Sequence, residues 1–157
     1  GASEIIVVDL FEKRLEYALK MGATNVVCAA KEDTEDRIAR LLGGTGADIA
    51  IETAGSEKTV LQTAQLAKSG GTVVLVGLSA RSELPYNIGA AIGKELTIKT
   101  VFRYRNLYPV AISAVSGGKI DVLPVVTHEF TLEDAKEAFD TAVGNAESVV
   151  KAIIKLF

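Results

Sequence analysis

The stretch Gly1-Ala2-Ser3-Glu4-Ile5-Ile6-Val7-Val8-Asp9 opens the sequence and decides its fold. Residues 5–8 form a short run of β-branched side chains, which predicts a buried strand that ends on the carboxylate of Asp9. Residues 12–21 then repeat their apolar side chains at helical spacing, and Gly22 follows as a typical helix-ending residue. A strand followed at once by a helix is the first half of a strand–helix–strand unit, whose two strands are parallel.

The same alternation of strand and helix patterns continues along the chain. Further strands are predicted at residues 26–28, 49–51, 72–76 and 96–101, and further helices at residues 34–42 and 59–67. Ser69-Gly70-Gly71 is predicted to close the second of these helices, and residues 77–95, which contain Pro85, are a loop-rich stretch and the nearest candidate for a hinge. The alternation predicts an α/β fold in which a parallel sheet is flanked by helices.

The last third of the sequence changes character. A helix is predicted from Pro109 to about residue 116, and an extended segment at residues 125–130. Thr131-Leu132-Glu133-Asp134 has the pattern of a capping box, which predicts a helix that turns Leu132, Ala135, Phe139 and Ala142 inward. Residues 149–156 alternate loosely and predict a final strand.

Composition and charge narrow the function classes. The 157 residues are 48% hydrophobic and 24% charged, which suits one globular domain or a domain with a further segment. A formal net charge of −3 argues against a nucleic-acid partner. The single cysteine, Cys28, excludes an internal disulfide and fits a reducing compartment. With no run of about 18 apolar residues and no signal-peptide pattern, we expect a cytoplasmic protein without a membrane partner.

Asp9 is the leading candidate for a binding residue. A carboxylate at the carboxyl end of a parallel strand can accept two hydrogen bonds from a ribose diol, as at the end of the second strand of a dinucleotide-binding fold. It would repel a 2′-phosphate by about 1 kcal/mol in water and by more at lower dielectric constant, which favours NAD over NADP. The alternative is an acid that only caps the following helix. Arg14, five residues on, either reaches the adenosine or lies on a solvated helix face.

Three further segments follow predicted strands, and each has a functional and a structural interpretation. Thr53-Ala54-Gly55 is small enough for an adenine ring to lie against its backbone, or is a plain strand-to-helix turn. Val76-Gly77-Leu78 ends the strongest strand, where its glycine admits a flat ring or simply permits a turn. Arg103 and Tyr104 supply hydrogen-bond donors for a hydroxyl-rich ligand, or are surface residues beside a core Phe102.

These segments resemble the medium-chain zinc-dependent dehydrogenase superfamily, and within it the polyol branch of sorbitol (L-iditol) and xylitol dehydrogenases. The resemblance covers nearly the whole chain, and the segment containing Phe102-Arg103-Tyr104 is the most specific. The matching stretches are VVDLFEKRLEYALKMGA at 7–23, TGADIAIETAGSEKTV at 45–60, GGTVVLVGL at 70–78, ELTIKTVFRYRNLYPVAI at 95–112 and VVTHEFTLEDAKEAF at 125–139.

The resemblance implies a role for each matching position. Asp9 and Arg14 would bind the adenosine ribose, and Lys151 would contact the pyrophosphate. The adenine end of the cofactor would border Thr53, Ala54 and Gly55. The nicotinamide would be lined by Val76, Gly77 and Leu78, and its carboxamide would bond backbone groups of Val76, Val101 and Arg103. Arg103 and Tyr104 would face a polyol substrate, whose secondary alcohol transfers a hydride to NAD while zinc polarises the alcohol oxygen.

Several features of the family pattern do not occur in this sequence. The family's first strand, its G-x-G-x-x-G phosphate turn and its zinc ligands are not among the 157 residues. The single histidine, His128, and Cys28 cannot form a zinc site without further ligands. We therefore expect residues 1–117 to be a partial NAD-binding Rossmann domain and residues 118–157 a remnant of the catalytic domain. No catalytic residue and no metal ligand is assigned, and the chain alone is expected to be inactive.

The missing strand has a structural consequence. It is central in the usual strand order, so we expect two half-sheets with unpaired inner edges, and residues 149–156 are one candidate to cover such an edge. The opposing hypothesis is a stand-alone nucleotide-binding or interaction module without catalysis. A homo-oligomer is expected by analogy with the family.

Overall fold

The computed structural model describes residues 1–156 of the chain. A helix lies between every two consecutive strands, and all paired strands are parallel. The predicted α/β fold with parallel strands and helical crossovers is therefore confirmed. The elements are β1 (Ile6–Asp9), α1 (Glu12–Lys20), β2 (Asn25–Cys28), α2 (Thr34–Leu41), β3 (Ala47–Glu52), α3 (Glu57–Leu66), β4 (Ala67–Leu75), α4 (Ile88–Gly93), β5 (Thr97–Thr100), α5 (Tyr108–Ser116), a 3-10 turn (Leu123–Val125), β6 (Val126–Thr131), α6 (Ala135–Gly144) and β7 (Lys151–Lys155).

The chain divides into two compact units. The first unit combines Gly1–Glu32 with the chain from Tyr108 onward, and the second unit is Asp33–Leu107. The first unit contains two sheets of two strands, β1-β2 and β6-β7, and the second unit contains one sheet of order β3-β4-β5. The domain boundary at residue 117 follows the family's division rather than this packing, and it stays a prediction.

In the first unit, β1 and β2 pair in register from Ile6 opposite Asn25 to Asp9 opposite Cys28. Helix α1 packs on both strands and buries Leu15, while Val27 within β2 has no exposed surface. The amphipathic helix thus covers the apolar strand pair. Asp9 consequently lies at the carboxyl end of the sheet, beside the end of β2.

The other sheet of the first unit joins β6 to β7, with Phe130 opposite Ile154. The expectation that residues 149–156 cover an edge of a nucleotide-binding half-sheet is therefore wrong, because this segment pairs with β6. The physical reason is the connection: α6 leads directly from β6 to β7, and a single helical crossover returns the chain in parallel beside the strand it left.

The sheet of the second unit has β4 at its centre, so Val73 lies between Ala50 of β3 and Ile98 of β5. Val73 has no exposed surface and belongs to the core of this unit. Strand β3 has one partner, and its side chains Ile49 and Ile51 are 59% and 63% exposed. The separate sheets β1-β2 and β3-β4-β5 confirm the expected pair of half-sheets.

One local prediction in the second unit is wrong. Ser69-Gly70-Gly71 does not close a helix, because α3 ends at Leu66 and β4 begins at the next residue. A register shift between Ala47 and Ile49 opposite this stretch accommodates the glycines, and Gly70 adopts a φ of 71°. The loop-rich stretch at residues 77–95 contains one short helix, α4, whose N-cap Asn87 accepts a hydrogen bond from the Ala90 N–H.

The capping box at residues 131–134 is also wrong. Helix α6 begins only at Ala135, and the Thr131 hydroxyl donates to the Asp134 carboxylate at 2.7 Å instead of capping a helix N–H. The buried residue of α6 is Ala138. Leu132 and Phe139, which the capping box predicts to lie inside, are 58% and 70% exposed, and Ala142 is exposed as well.

Lys94, directly after α4, fastens the carboxyl end of α3. Its ammonium donates to the backbone oxygens of Ala64, Gln65 and Ala67 at 3.0, 2.8 and 2.8 Å. The last carbonyls of a helix have no partner within the helix, and a cation at this end also favours the helix dipole. One side chain therefore fixes the short passage from α3 into β4.

We predict that Lys94→Met lowers the free energy of unfolding by about 1–3 kcal/mol, since a charged donor to three partly buried carbonyls is lost. Lys58→Met, at an exposed position of α3, is the matched control and should change stability by less than about 0.5 kcal/mol. Urea unfolding followed by circular dichroism measures both. Equal effects of the two variants would contradict a capping role for Lys94.

Candidate functional site

Asp9 combines a structural contact with an accessible carboxylate at the end of β1. Its Oδ1 accepts a hydrogen bond from the Phe11 N–H at 2.9 Å, which fixes the turn into α1. Its Oδ2 lies 3.9 Å from Nη1 of Arg14, and the side chain is 28% exposed. The alternative that Asp9 caps the helix is wrong, because Phe11 is the N-cap of α1 and has no side-chain cap hydrogen bond. Asp9 instead stabilises the turn before the helix, and a second oxygen remains for a ligand. The ribose-binding role stays a prediction.

Arg14 is held inside the first unit and does not lie on a solvated helix face. Its Nη2 donates to the backbone oxygen of Val149 at 3.3 Å, and its guanidinium lies 5.1 Å from the centre of the Phe11 ring. Its Nε is buried without a hydrogen-bond partner in the described part of the chain. Arg14 thereby connects α1 to the segment that leads into β7, whose first residue is the exposed Lys151.

A cleft of about 420 Å³ opens in the first unit where β1 and β2 end. Ligands of open parallel sheets bind at this edge. Within the cleft, Lys31 and Glu12 form an ion pair at 2.5 Å. The hydrogen bond that Lys31 donates to Glu12 raises the pKa of Lys31 above its ordinary value. The lysine is therefore protonated at neutral pH. The lining residues are Leu10, Phe11, Glu12, Lys13, Cys28, Ala30, Lys31, Glu147 and Ser148.

In the second unit, Glu52 organises the strand ends, although its sequence position alone suggests no role. It is the last residue of β3 and is only 4% exposed. Its Oε1 accepts hydrogen bonds from the N–H groups of Ala54 and Gly55, both at 2.8 Å, and from the Thr59 hydroxyl at 2.7 Å. The carboxylate thus shapes the turn from β3 into α3.

The backbone of Glu52 reaches the neighbouring strand as well. Its carbonyl oxygen accepts hydrogen bonds from the N–H groups of Val76 and Gly77 at 2.8 and 3.0 Å. Glu52 therefore connects the turn after β3 with the end of β4. These are two of the segments that the sequence predicts to bind a ligand, residues 53–55 and 76–78. The signal that could have found Glu52 is a charged residue closing an otherwise apolar strand, since a buried acid needs donors nearby.

Close packing between these two segments requires both glycines. A Cβ on Gly77 would lie 2.5 Å from Oε2 of Glu52 and 2.7 Å from the Cα of Gly55. A Cβ on Gly55 would lie 2.7 Å from the backbone of Leu78, and Gly55 also has a φ of 68°. The glycines are therefore needed for the contact of the two backbones.

Val101, Arg103 and Tyr104 follow β5 in the same unit. The Val101 N–H donates to Leu75 O at 2.9 Å, which places it at the end of β4. Arg103 adopts a φ of 53° and its guanidinium lies 5.0 Å from the centre of the Phe102 ring. Phe102 and Tyr104 are 66% and 64% exposed, so the alternative that Phe102 is a core residue is wrong.

The predicted site residues are thus distributed over both units. The first unit contains Asp9, Arg14 and Lys151. The second unit brings together Ala54, Gly55, Val76, Gly77 and Leu78 through Glu52 and the two glycines, with the exposed Thr53 in the same turn. Their roles toward a cofactor remain predictions.

The described residues do not fit a zinc site. Within residues 1–156, no group of three or more histidine, cysteine, aspartate or glutamate side chains is placed to hold a metal ion. His128 lies on β6 with Nδ1 at 3.0 Å from the Thr127 hydroxyl, and Cys28 is buried with Sγ 3.5 Å from Leu10 O. Both residues therefore have structural contacts. Across the same residues, no helix is both long and apolar enough to cross a membrane.

Comparison with known proteins decides the family. The sequence pattern described as zinc-binding dehydrogenase matches residues 1–117. The chain belongs to this zinc-binding dehydrogenase family. The family prediction from the sequence is therefore confirmed.

Relatives within the family include polyol dehydrogenases. The chain is 45% identical over 156 residues to the zinc-type alcohol dehydrogenase-like protein YdjJ of Escherichia coli, covering 99% of this chain and 44% of that protein. It is 33% identical over 154 residues to the sorbitol dehydrogenase of Bacillus subtilis, covering 98% of this chain and 44% of that enzyme. The crystal structure of an Escherichia coli oxidoreductase of unknown specificity matches with a TM-score of 0.91 at 44% identity, covering 100% of this chain and 45% of that chain. The zinc-binding dehydrogenase chain thus spans less than half the length of these relatives.

We predict that Gly77→Ala destabilises this family member by about 1–3 kcal/mol, because the added methyl group cannot fit between Glu52 and Gly55. Gly144→Ala is the matched control, since no atom lies within 4 Å of the position that its Cβ would occupy and the residue ends α6. It should be neutral or raise stability by up to about 1 kcal/mol. Thermal unfolding of both variants measures the difference, and a Gly77→Ala protein as stable as the control would contradict the packing described.

Proposed function

We propose that this chain forms the NAD-binding portion of a zinc-dependent polyol dehydrogenase, which oxidises a secondary alcohol of a sugar alcohol to a ketose. The observation that carries the proposal is the accessible carboxylate of Asp9 at the carboxyl end of a parallel strand pair. The sorbitol dehydrogenase among the relatives supports the polyol class. The family match over residues 1–117 supports assigning this part to cofactor binding and residues 118–157 to the catalytic domain.

The first unit would hold the adenosine half of the cofactor. Oδ1 of Asp9 is engaged by the Phe11 N–H, whereas Oδ2 faces Arg14 only at 3.9 Å and can accept ribose hydroxyls. Arg14 is fixed by Val149 and Phe11, so it would position the carboxylate rather than move with the ligand. Lys151, exposed at the start of β7, would supply a positive charge for the pyrophosphate.

The second unit would hold the nicotinamide against Val76, Gly77 and Leu78, and Thr53, Ala54 and Gly55 would border the adenine end of the cofactor. Gly77 carries no side chain, so a flat ring can approach its backbone. NAD, when bound, supplies the hydride acceptor. The exposed Arg103 and Tyr104 would donate hydrogen bonds to the hydroxyl groups of the polyol.

Zinc has no place in the described part of the chain. We propose that its ligands and the acid–base groups of the reaction come from outside the 157 residues. The chain by itself is therefore expected to show no turnover of sorbitol or xylitol with NAD and zinc, measured as NADH absorbance. Turnover by the purified chain would contradict this division of roles.

A second function, a nucleotide-binding or interaction module without catalysis, is favoured by the single-partner strands β1 and β3 and the exposed Ile49 and Ile51. Titration with NAD separates the two. The dehydrogenase proposal expects an affinity weaker than about millimolar, since the chain contains no Gly-rich phosphate turn. Tight, saturable binding, or a dimer whose strands pair across these edges, would favour the module. We also propose that the protein is cytoplasmic and self-associates, and that it has no nucleic-acid or membrane partner.

Asp9→Asn tests the ribose contact. The variant keeps Oδ1 as the acceptor for Phe11, so the fold should persist, while the charged acceptor for the diol is lost. We expect binding of ADP-ribose to weaken by about three- to tenfold and binding of its 2′-phosphate form to weaken less or improve. Amide chemical shifts of the labelled chain measure both ligands. Asp140→Asn, at an exposed ion pair on α6, is the control and should leave both affinities unchanged.

A further inference from the structure

We propose that the buried carboxylate of Glu52 favours the oxidised, positively charged nicotinamide ring over the neutral reduced ring beside Gly77. The inference rests on the proposed function, because that function places the nicotinamide beside residues 76–78. Glu52 would thereby help to select the redox state of the bound cofactor, which the shape of the surface at Gly77 cannot do.

The two oxygens of Glu52 have different surroundings. Oε1 accepts three hydrogen bonds, from Ala54, Gly55 and Thr59. Oε2 is buried and has no hydrogen-bond partner in the described part of the chain. The hydrogen bonds that the described residues donate to this side chain therefore all go to one of its two oxygens.

Oε2 lies beside Gly77. A Cβ on Gly77 would lie 2.5 Å from Oε2, so no side chain separates this oxygen from the glycine backbone. The hydrogen bonds of Oε1 come from the turn into α3 and from Thr59, and the Gly55 nitrogen among these donors lies beside the same position. A charge so deeply buried is poorly screened by solvent and acts on a ligand across the glycine.

Glu52 also fills the amino-terminal end of α3. Its carboxylate takes up the Ala54 and Gly55 N–H groups that precede the helix, so these donors are not available to a phosphate. An anionic part of the cofactor is therefore disfavoured here, while an uncharged or cationic ring is accepted. This polarity agrees with a nicotinamide at the second unit and with phosphates placed elsewhere.

The test compares dissociation constants of NAD+ and NADH for the 157-residue chain, followed by the amide signals of Gly55 and Gly77. Glu52→Gln keeps an oxygen for the three donors and removes the charge. We expect the affinity for NAD+ to fall by about three- to tenfold relative to that for NADH. Glu57→Gln removes an exposed charge from the same end of α3, and Thr59→Val removes one donor but keeps the Glu52 charge. Both controls should leave the ratio of affinities unchanged.

Equal weakening of both cofactors in Glu52→Gln would overturn the inference, since the residue would then only position the backbone. If neither cofactor shifts the signals of residues 76–78 in the wild-type chain, the proposed function itself fails. Should Glu52→Gln not fold, the 13Cδ signal of Glu52 in the unmodified chain replaces it. That signal should shift more on addition of NAD+ than of NADH, and equal shifts would again overturn the inference.

Discussion

Parallel pairing of strands is the constraint on which the rest of this structure depends. Every strand pair in the described chain is parallel, so each connection must cross over, and a helix occupies each crossover. All strands of one sheet then end at the same edge. Asp9 and Cys28 are neighbours for this reason, as are Glu52 and Leu75. Residues far apart in sequence become candidates for one site because the connections leave no other arrangement.

In the second unit, the buried acid Glu52 satisfies backbone N–H groups that backbone hydrogen bonding within the sheet leaves without a partner. Where β3 and β4 end, the N–H groups of the following turn have lost their ladder partners and must be satisfied. Glu52 supplies acceptors from both its side chain and its backbone, which holds the turns at a fixed separation. The two glycines allow these turns to touch. The glycines contribute only backbone to this contact, whereas the side chain of Leu78 beside them is exposed.

The two units contain separate sheets. Among the described residues, β1 pairs with β2 and β3 pairs with β4. Each unit has its own helices on its sheet and its own buried residues, such as Leu15 in the first unit and Val73 in the second. Ile49 and Ile51 are two residues apart on β3, so they project from the same face of its sheet, and both are exposed.

The sequence by itself determined the order of strands and helices, the family, and the segments that end at the sheet edges, because apolar periodicity and short motifs are local properties. Asp9, Gly55 and Gly77 could be chosen on these grounds. Sequence marks Glu52 at most as a charged residue that closes an apolar strand. It cannot show the contacts of Glu52 or Lys94, since each acts on backbone groups that only the folded chain brings near. Nor could it predict that Phe102 and Phe139 are exposed, or which strand pairs with the final strand, because burial and pairing depend on which surfaces meet. Tertiary structure alone decided these points, because hydrogen bonding and burial are properties of neighbours in space rather than in sequence.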